Sequence, residues 1–146
     1  MGRTMLRRTV LTVVAAATVA AGPAAWAQDD GTLPFTVDTA RLASDRHTVV
    51  VGGTYSCPPL DLNVTGGGGI IELTVNQRDV RGVGFAFIEV CDGTTRTWRG
   101  TVTSTDGRFR RGPAQVLASA RVTGQDPAGR EVQLRVDLQD RIRIRG

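Results

Sequence analysis

Apolar and polar residues alternate over segment after segment of this chain, and that period of two restricts its fold more than anything else in it. In "RHTVVVGGTYSC" His47, Val49, Val51, Gly53, Tyr55 and Cys57 share one parity. Val83, Phe85, Phe87, Glu89 and Cys91 share one in "VGFAFIEVC", and Ala114, Val116, Ala118, Ala120 and Val122 do so in "PAQVLASARV". In "EVQLRVDLQDRIRIRG" the even positions Val132 to Ile144 are apolar except Asp140. Alternation of this kind, bounded by Gly, Pro and Asp, reads as half-buried antiparallel strands. Strands are expected over Phe35–Ala43, His47–Cys57, Asp61–Val64, Ile70–Gln77, Val83–Cys91, Thr95–Ser104, Ala114–Thr123 and Glu131–Arg145. That is an all-β chain, expected to form a single antiparallel immunoglobulin-like sandwich of about seven or eight strands. The last segment would run about 50 Å at about 3.3 Å per residue, so a bulge or bend is expected at Asp140. Gly66 to Gly69, Asp92-Gly93, Asp106-Gly107 and "GQDPAGRE" supply the turns.

The beginning of the chain follows a different rule. Arg3, Arg7 and Arg8 precede a short apolar run, Val10 to Ala21, and Ala25-Trp26-Ala27 offers a small-x-small cleavage site. These are the parts of a secretory signal, with cleavage expected between Ala27 and Gln28. Arg7-Arg8 also fits the twin-arginine export pattern. The expected organisation is a signal peptide over 1–27, a polar leader over 28–33 and the sandwich domain over 34–146. No second long apolar run follows, so no membrane anchor is expected after cleavage, and the protein is expected to be secreted and extracellular.

Removing the signal changes the charge argument. The chain has 18 Lys+Arg against 14 Asp+Glu, and the signal takes Arg3, Arg7, Arg8 and no acid. The remainder is close to neutral, so the basic composition does not point to a nucleic-acid partner. Every basic residue besides His47 is arginine.

The two cysteines, Cys57 and Cys91, lie on parities that also carry Tyr55, Phe85 and Phe87. An exported chain with two cysteines is expected to join them. Trp98 follows Cys91 on the parity of Gly100 and Val102, where it serves either as a core residue over the disulfide or as a ligand-stacking ring.

At these residues a resemblance becomes visible. The order "GTYSC", "CDGTTRTW" and "GRFRRGPAQVLASARV" resembles small secreted immunoglobulin-like proteins of high-GC Gram-positive bacteria, a family of unknown function. It extends over roughly Phe35 to Arg145 and implies the fold, export and the disulfide, with no activity to carry over. Antibody-type domains place a tryptophan between more widely spaced cysteines, whereas here Trp98 follows the second.

Catalytic chemistry finds little to stand on. There is one histidine, no nucleophile motif, no metal-ligand spacing and no phosphate-binding loop, so neither enzyme activity nor a cofactor or metal is expected. Two basic features remain. Arg108, Arg110 and Arg111 surround Phe109, and Arg141, Arg143 and Arg145 alternate along the last strand. The row either guards a strand edge or grips an anionic ligand. The expected function is a secreted non-enzymatic binding or structural module, its partner an anionic wall polymer or a protein. The alternative is a secreted enzyme inhibitor acting through "GQDPAGRE" or "TGGGG".

Overall fold

The computed structural model describes residues 31–146, so the expected signal and the Ala27–Gln28 cleavage site lie outside the described residues. Eight strands follow one another: β1 (Gly31–Thr32), β2 (Thr39–Leu42), β3 (Thr48–Ser56), β4 (Gly68–Gln77), β5 (Val80–Phe87), β6 (Thr95–Ser104), β7 (Gly112–Gln125) and β8 (Glu131–Arg145). Hydrogen bonding runs β2-β3-β6-β5-β4-β7-β8 and then returns to β2. The expected sandwich is therefore wrong: seven strands close into a barrel, with β1 attached to β8. All neighbours around the wall are antiparallel except β8 and β2, which close it in parallel through Ala40 opposite Ile144 and Arg41 opposite Arg145.

A sandwich and a barrel draw on the same alternation, so the inward residues decide between them. A barrel of this strand number has an interior that one layer of side chains fills. The inward positions here mix large and small. Val49, Val51, Ile71, Leu73, Val75, Val116, Val122 and Ile144 share the inward side with Ala86, Ala114, Ala118 and Ala120, all of them buried, and Ile71 lies between Ala86 and Ala120 in the sheet register. On β5 the inward positions include Gly82 and Gly84. A Cβ on Gly84 would lie 2.0 Å from the Thr101 carbonyl oxygen, and one on Gly82 would lie 2.8 Å from the Phe109 ring.

These glycines also reverse the expected facing of β5. Phe85 and Phe87 are 58% and 61% exposed and Val83 is 46% exposed, whereas Ala86 and Ile88 are buried. The parity does not carry through to Cys91: the strand ends at Phe87, Glu89 and Val90 are both exposed, and Cys91 is buried after them. The ring that fills the interior near Gly82 is Phe109, fully buried from the β6–β7 loop.

Strand β8 is continuous. Its register with β7 runs from Gln125 opposite Glu131 to Gly112 opposite Ile144 without an extra residue, so the expected break at Asp140 does not occur. A barrel strand tilts across the wall and tolerates the length that a sandwich of this size would not. Asp140 falls on the inward parity but is exposed, at a stretch where β8 pairs only with β7 among the described residues. Its carboxylate accepts the Arg141 backbone N–H at 2.7 Å, so the residue that breaks the apolar pattern satisfies a backbone donor. The expected strand at Asp61–Val64 is reduced to one bridge, Asp61 opposite Gln125.

At the end of the barrel where β3 finishes, the disulfide Cys57–Cys91 forms as expected. Trp98 is a wall-to-core residue: its Nε1–H donates to the Thr36 carbonyl at 3.0 Å and its ring stacks on Phe35 at 5.1 Å. Tyr55 is buried and its hydroxyl donates to the Val90 carbonyl at 2.9 Å. Burial pushes the Tyr55 phenol above its ordinary value of 10.0. The folded state then holds this proton more tightly than the unfolded chain does. The contribution is complete below the ordinary phenol pKa and is lost as pH rises through the raised one. Tyr55→Phe, which also loses a hydrogen bond, is expected to be about 1 kcal/mol less stable than wild type at neutral pH. Urea unfolding should show that gap shrinking above about pH 10. A constant gap would mean that the phenol does not contribute through its proton.

Candidate functional site: the arginine-rich end of the barrel

The opposite end of the barrel collects the end of β2, the start of β3, the β4–β5 turn, the β6–β7 loop and the end of β8. Five arginines stand in its connections: Arg46, Arg78, Arg108, Arg110 and Arg111, all exposed. Arg41, Arg81, Arg143 and Arg145 stand on the adjoining strand ends, also exposed. The acids in the same connections are Asp45, Asp79 and Asp106.

Each connection has a local reason for its shape. Asp45 accepts the backbone N–H groups of His47 at 2.9 Å and Thr48 at 3.0 Å and the Thr48 hydroxyl at 2.9 Å, which folds the β2–β3 loop around Arg46. Those bonds, the Thr48 hydroxyl first, hold the Asp45 carboxyl below its ordinary range. Gln77 is the buried polar side chain of this end. Its Nε2 donates to the Arg110 carbonyl at 2.8 Å and the Pro113 carbonyl at 3.3 Å, and its Oε1 accepts the Arg110 N–H at 2.8 Å. Phe109 enters the core between Arg108 and Arg110, and its N–H donates to the Arg46 carbonyl at 2.8 Å. The buried ring and the amide clamp thus hold the β6–β7 loop while its arginines face solvent. His47 Nδ1 lies 3.1 Å from Ser104 Oγ, whose hydroxyl donates to the Gly107 carbonyl at 2.9 Å.

Two of the arginines occupy backbone positions that disfavour them. Arg46 has φ 59° and Arg78 has φ 54°, the left-handed region that glycine adopts most readily. Arg78 opens the two-residue turn between Gln77 and Val80, where the first position is one that glycine commonly fills.

Between these loops lie two shallow grooves. One, of about 490 Å³, is lined by Arg78, Arg108, Arg110 and Arg111 with Gln77 and one acid, Asp79, among others. The other, of about 700 Å³, is lined by Arg46, Arg110, Arg111 and Gly146 among others.

The sequence-expected row Arg141, Arg143 and Arg145 joins this surface. All three are exposed on the outer face of β8, Arg143 lies opposite Pro113 of β7, and Arg145 lies opposite Arg41 of β2. Alternate residues on a strand stand about 7 Å apart. Neither acid of β8 near the row neutralises it. Asp137 is held low by the Ser119 hydroxyl first and then by Arg135, while Asp140 binds the Arg141 backbone.

The pairing of charges contrasts across the molecule. Among the described residues the ion pairs are Arg96–Asp92, Arg121–Glu72, Arg130–Asp126 and Arg135–Asp137. None of them involves an arginine of this end or of the row. At the far end Asp126 accepts the N–H groups of Ala128 and Arg130 as well as the Arg130 side chain, which fixes the tip of the "GQDPAGRE" loop.

The row and the Arg108–Arg111 cluster are legible in the sequence, but their meeting at one end is not, and neither Arg46 nor Arg78 stands out there. The missing signal is conformational: only the folded backbone reveals that two arginines hold left-handed positions at the same end.

No curated protein and no solved structure matches the chain. The profile of DUF6299, a family of unknown function, matches residues 32–129, from β1 to the turn before β8, and the chain belongs to that family.

Proposed function

We propose that this protein is an exported, non-enzymatic binding module whose arginine-rich end and β8 row grip an anionic polymer through its phosphates or carboxylates. The observation that carries the reading is the pair of left-handed arginines. A non-glycine residue in that region costs about 1 to 2 kcal/mol, and such strain points to a role for the side chain. Guanidinium groups suit the ligand class, because each presents a planar fork of donors to phosphate or carboxylate oxygens. Shallow grooves between loops and a row of about 7 Å spacing suit an extended chain with repeated charges rather than one enclosed small molecule. Export, read from residues 1–27, places the ligand outside the cell, where acidic wall polymers are the matching chemistry. The near-neutral charge of the exported chain does not oppose the reading, because the basic groups are gathered at one end.

The test uses protein recovered from the culture medium, whose first residue is expected to be Gln28. Polyphosphate and poly-glutamate serve as phosphate and carboxylate probes, with neutral dextran as control. Wild type is expected to bind at least one of the two polyanions, with affinity falling as salt rises. Arg46→Gly and Arg78→Gly are each expected to weaken that binding severalfold. The same changes should raise stability by about 0.5 to 1 kcal/mol, the left-handed strain relieved less the glycine entropy cost. The triple change Arg141→Ser, Arg143→Ser, Arg145→Ser should weaken binding without loss of stability, since exposed charges contribute little to it. Variants that fold and bind as well as wild type would reduce the row to an edge guard and the loop arginines to solvated charges.

A further inference from the structure

On the other side of the wall from the core, β5 turns outward a strip that nothing covers among the described residues. At alternate positions it reads Arg81, Val83, Phe85, Phe87 and, two residues past the strand end, Glu89. Its three middle members are among the most exposed large apolar side chains described, and the Phe85 and Phe87 rings pack edge to face at 5.4 Å. Exposed apolar surface of this kind, rimmed by charge, marks an interaction site. Strand addition is not available along most of it, because β5 pairs with β4 over its whole length and with β6 from Gly82 to Phe85. A partner must therefore lie face to face on the strip.

The charges at its two ends identify that partner. Arg81 and Glu89 stand at equal distances in sequence on either side of Phe85, one positive and one negative. Among the described residues neither takes part in an ion pair. A two-fold axis through Phe85, perpendicular to β5 and lying in the plane of contact, maps the strip onto itself reversed. Phe85 then meets its own copy, Val83 meets Phe87, and Arg81 of each copy meets Glu89 of the other. Such an isologous contact is the commonest arrangement of paired identical chains. The nearest acid beside the strip, Glu72, lies opposite Phe85 on β4 and would face its copy, but it is already paired with Arg121 of its own chain at 3.6 Å.

From this pattern we infer that the outer face of β5 is a homodimer interface: two copies pack antiparallel through Val83, Phe85 and Phe87, with Arg81 and Glu89 exchanging charges at both ends. The strip occupies the side wall and takes only Arg81 from the arginine-rich end, so the dimer leaves the loop arginines and the β8 row free and points the two ends in opposite directions. The inference is independent of what those ends bind.

Sedimentation of the purified protein over a range of concentrations tests it, with circular dichroism as the check on folding. Wild type is expected to reach twice the mass of the chain as concentration rises. Phe85→Ser with Phe87→Ser is expected to remain folded, since both rings are exposed, and to stay monomeric. Arg81→Glu and Glu89→Arg are each expected to weaken the dimer about tenfold or more by bringing like charges together. The two changes combined are expected to restore it, which no role in folding or contact with an unrelated partner would produce. A wild type that is monomeric at every concentration overturns the proposal. A dimer that survives the double phenylalanine change places its interface elsewhere. Single charge reversals without effect, or a double reversal that fails to restore association, overturn the antiparallel two-fold.

Discussion

Phe109→Ala is expected to cost the barrel about 3 to 5 kcal/mol, the usual loss for truncating a fully buried ring. The ring is 0% exposed, and its Cζ would lie within 2.8 Å of a Cβ placed on Gly82. The nearest inward positions on β5, Gly82 and Gly84, carry no side chain to fill the space, and their backbones are fixed by ladders on both sides, so the site can collapse only a little. Urea unfolding should show a lower midpoint with little change in slope, because the area exposed on unfolding is nearly the same. Phe109→Leu should recover a large part of the loss. A cost below about 1 kcal/mol would mean that the β6–β7 loop is not anchored by this ring.

The same change should reach the arginines. Phe109 stands between Arg108 and Arg110, and the Gln77 amide holds the backbone on the far side of it. With the ring removed, the loop keeps the amide clamp and loses its apolar anchor. Polyanion binding is therefore expected to weaken in Phe109→Ala even at temperatures where the protein stays folded. The order of side chains explains why a phenylalanine flanked by arginines belongs in a turn: one member packs and the others are presented.

The strands were legible from the sequence to different degrees, and the differences have physical causes. The bounds of β6 and β8 follow from alternation alone, because both strands carry large inward residues and end at turn residues. β5 has the right location and the wrong facing. Alternation specifies two faces and leaves open which one is inward, and size is the usual guide. Here the small residues Gly82, Gly84 and Ala86 are inward, since the interior is filled from Phe109, Leu73 and Val102. A rule that sends phenylalanine to the core fails wherever the core is already full.

Closure was illegible for another reason. The seven-strand barrel rests on the parallel contact between β2 and β8, and these strands come from nearly opposite ends of the described chain. Antiparallel neighbours joined by short turns leave a local mark in sequence, whereas a parallel contact between distant strands leaves none. The length of β8 was the one available hint. A strand too long for a small sandwich calls for either a break or a different architecture, and the barrel is the different architecture. For the candidate site, residue types gave the arginines away but backbone strain did not, since the left-handed φ of Arg46 and Arg78 has no signature in composition.

Removing the disulfide should be the other large effect. It links residues with a sequence separation of 34. In the folded barrel the crosslink adds little constraint, because Ser56 and Thr95 already face each other across the β3–β6 ladder. The Leu60 N–H also donates to the Cys91 carbonyl at 3.1 Å, and the Gly93 N–H to the Cys57 carbonyl at 2.9 Å. Its effect therefore lies mainly in the unfolded chain, where closing a loop of that size removes about 3 to 4 kcal/mol worth of conformational freedom. The combined change Cys57→Ala and Cys91→Ala is expected to lose about that much stability while leaving the barrel intact. The mechanism has a second readout. If the unfolded chain expands once the link is gone, more surface is exposed on unfolding and the urea slope should rise together with the fall in midpoint. An unchanged slope with the full loss would instead locate the effect in native packing around Tyr55, Leu60 and Val90. Because the disulfide and the arginine-rich end lie at opposite ends of the barrel, polyanion binding by the folded double variant should match wild type, and a parallel loss of binding would show that the two ends are coupled through the wall.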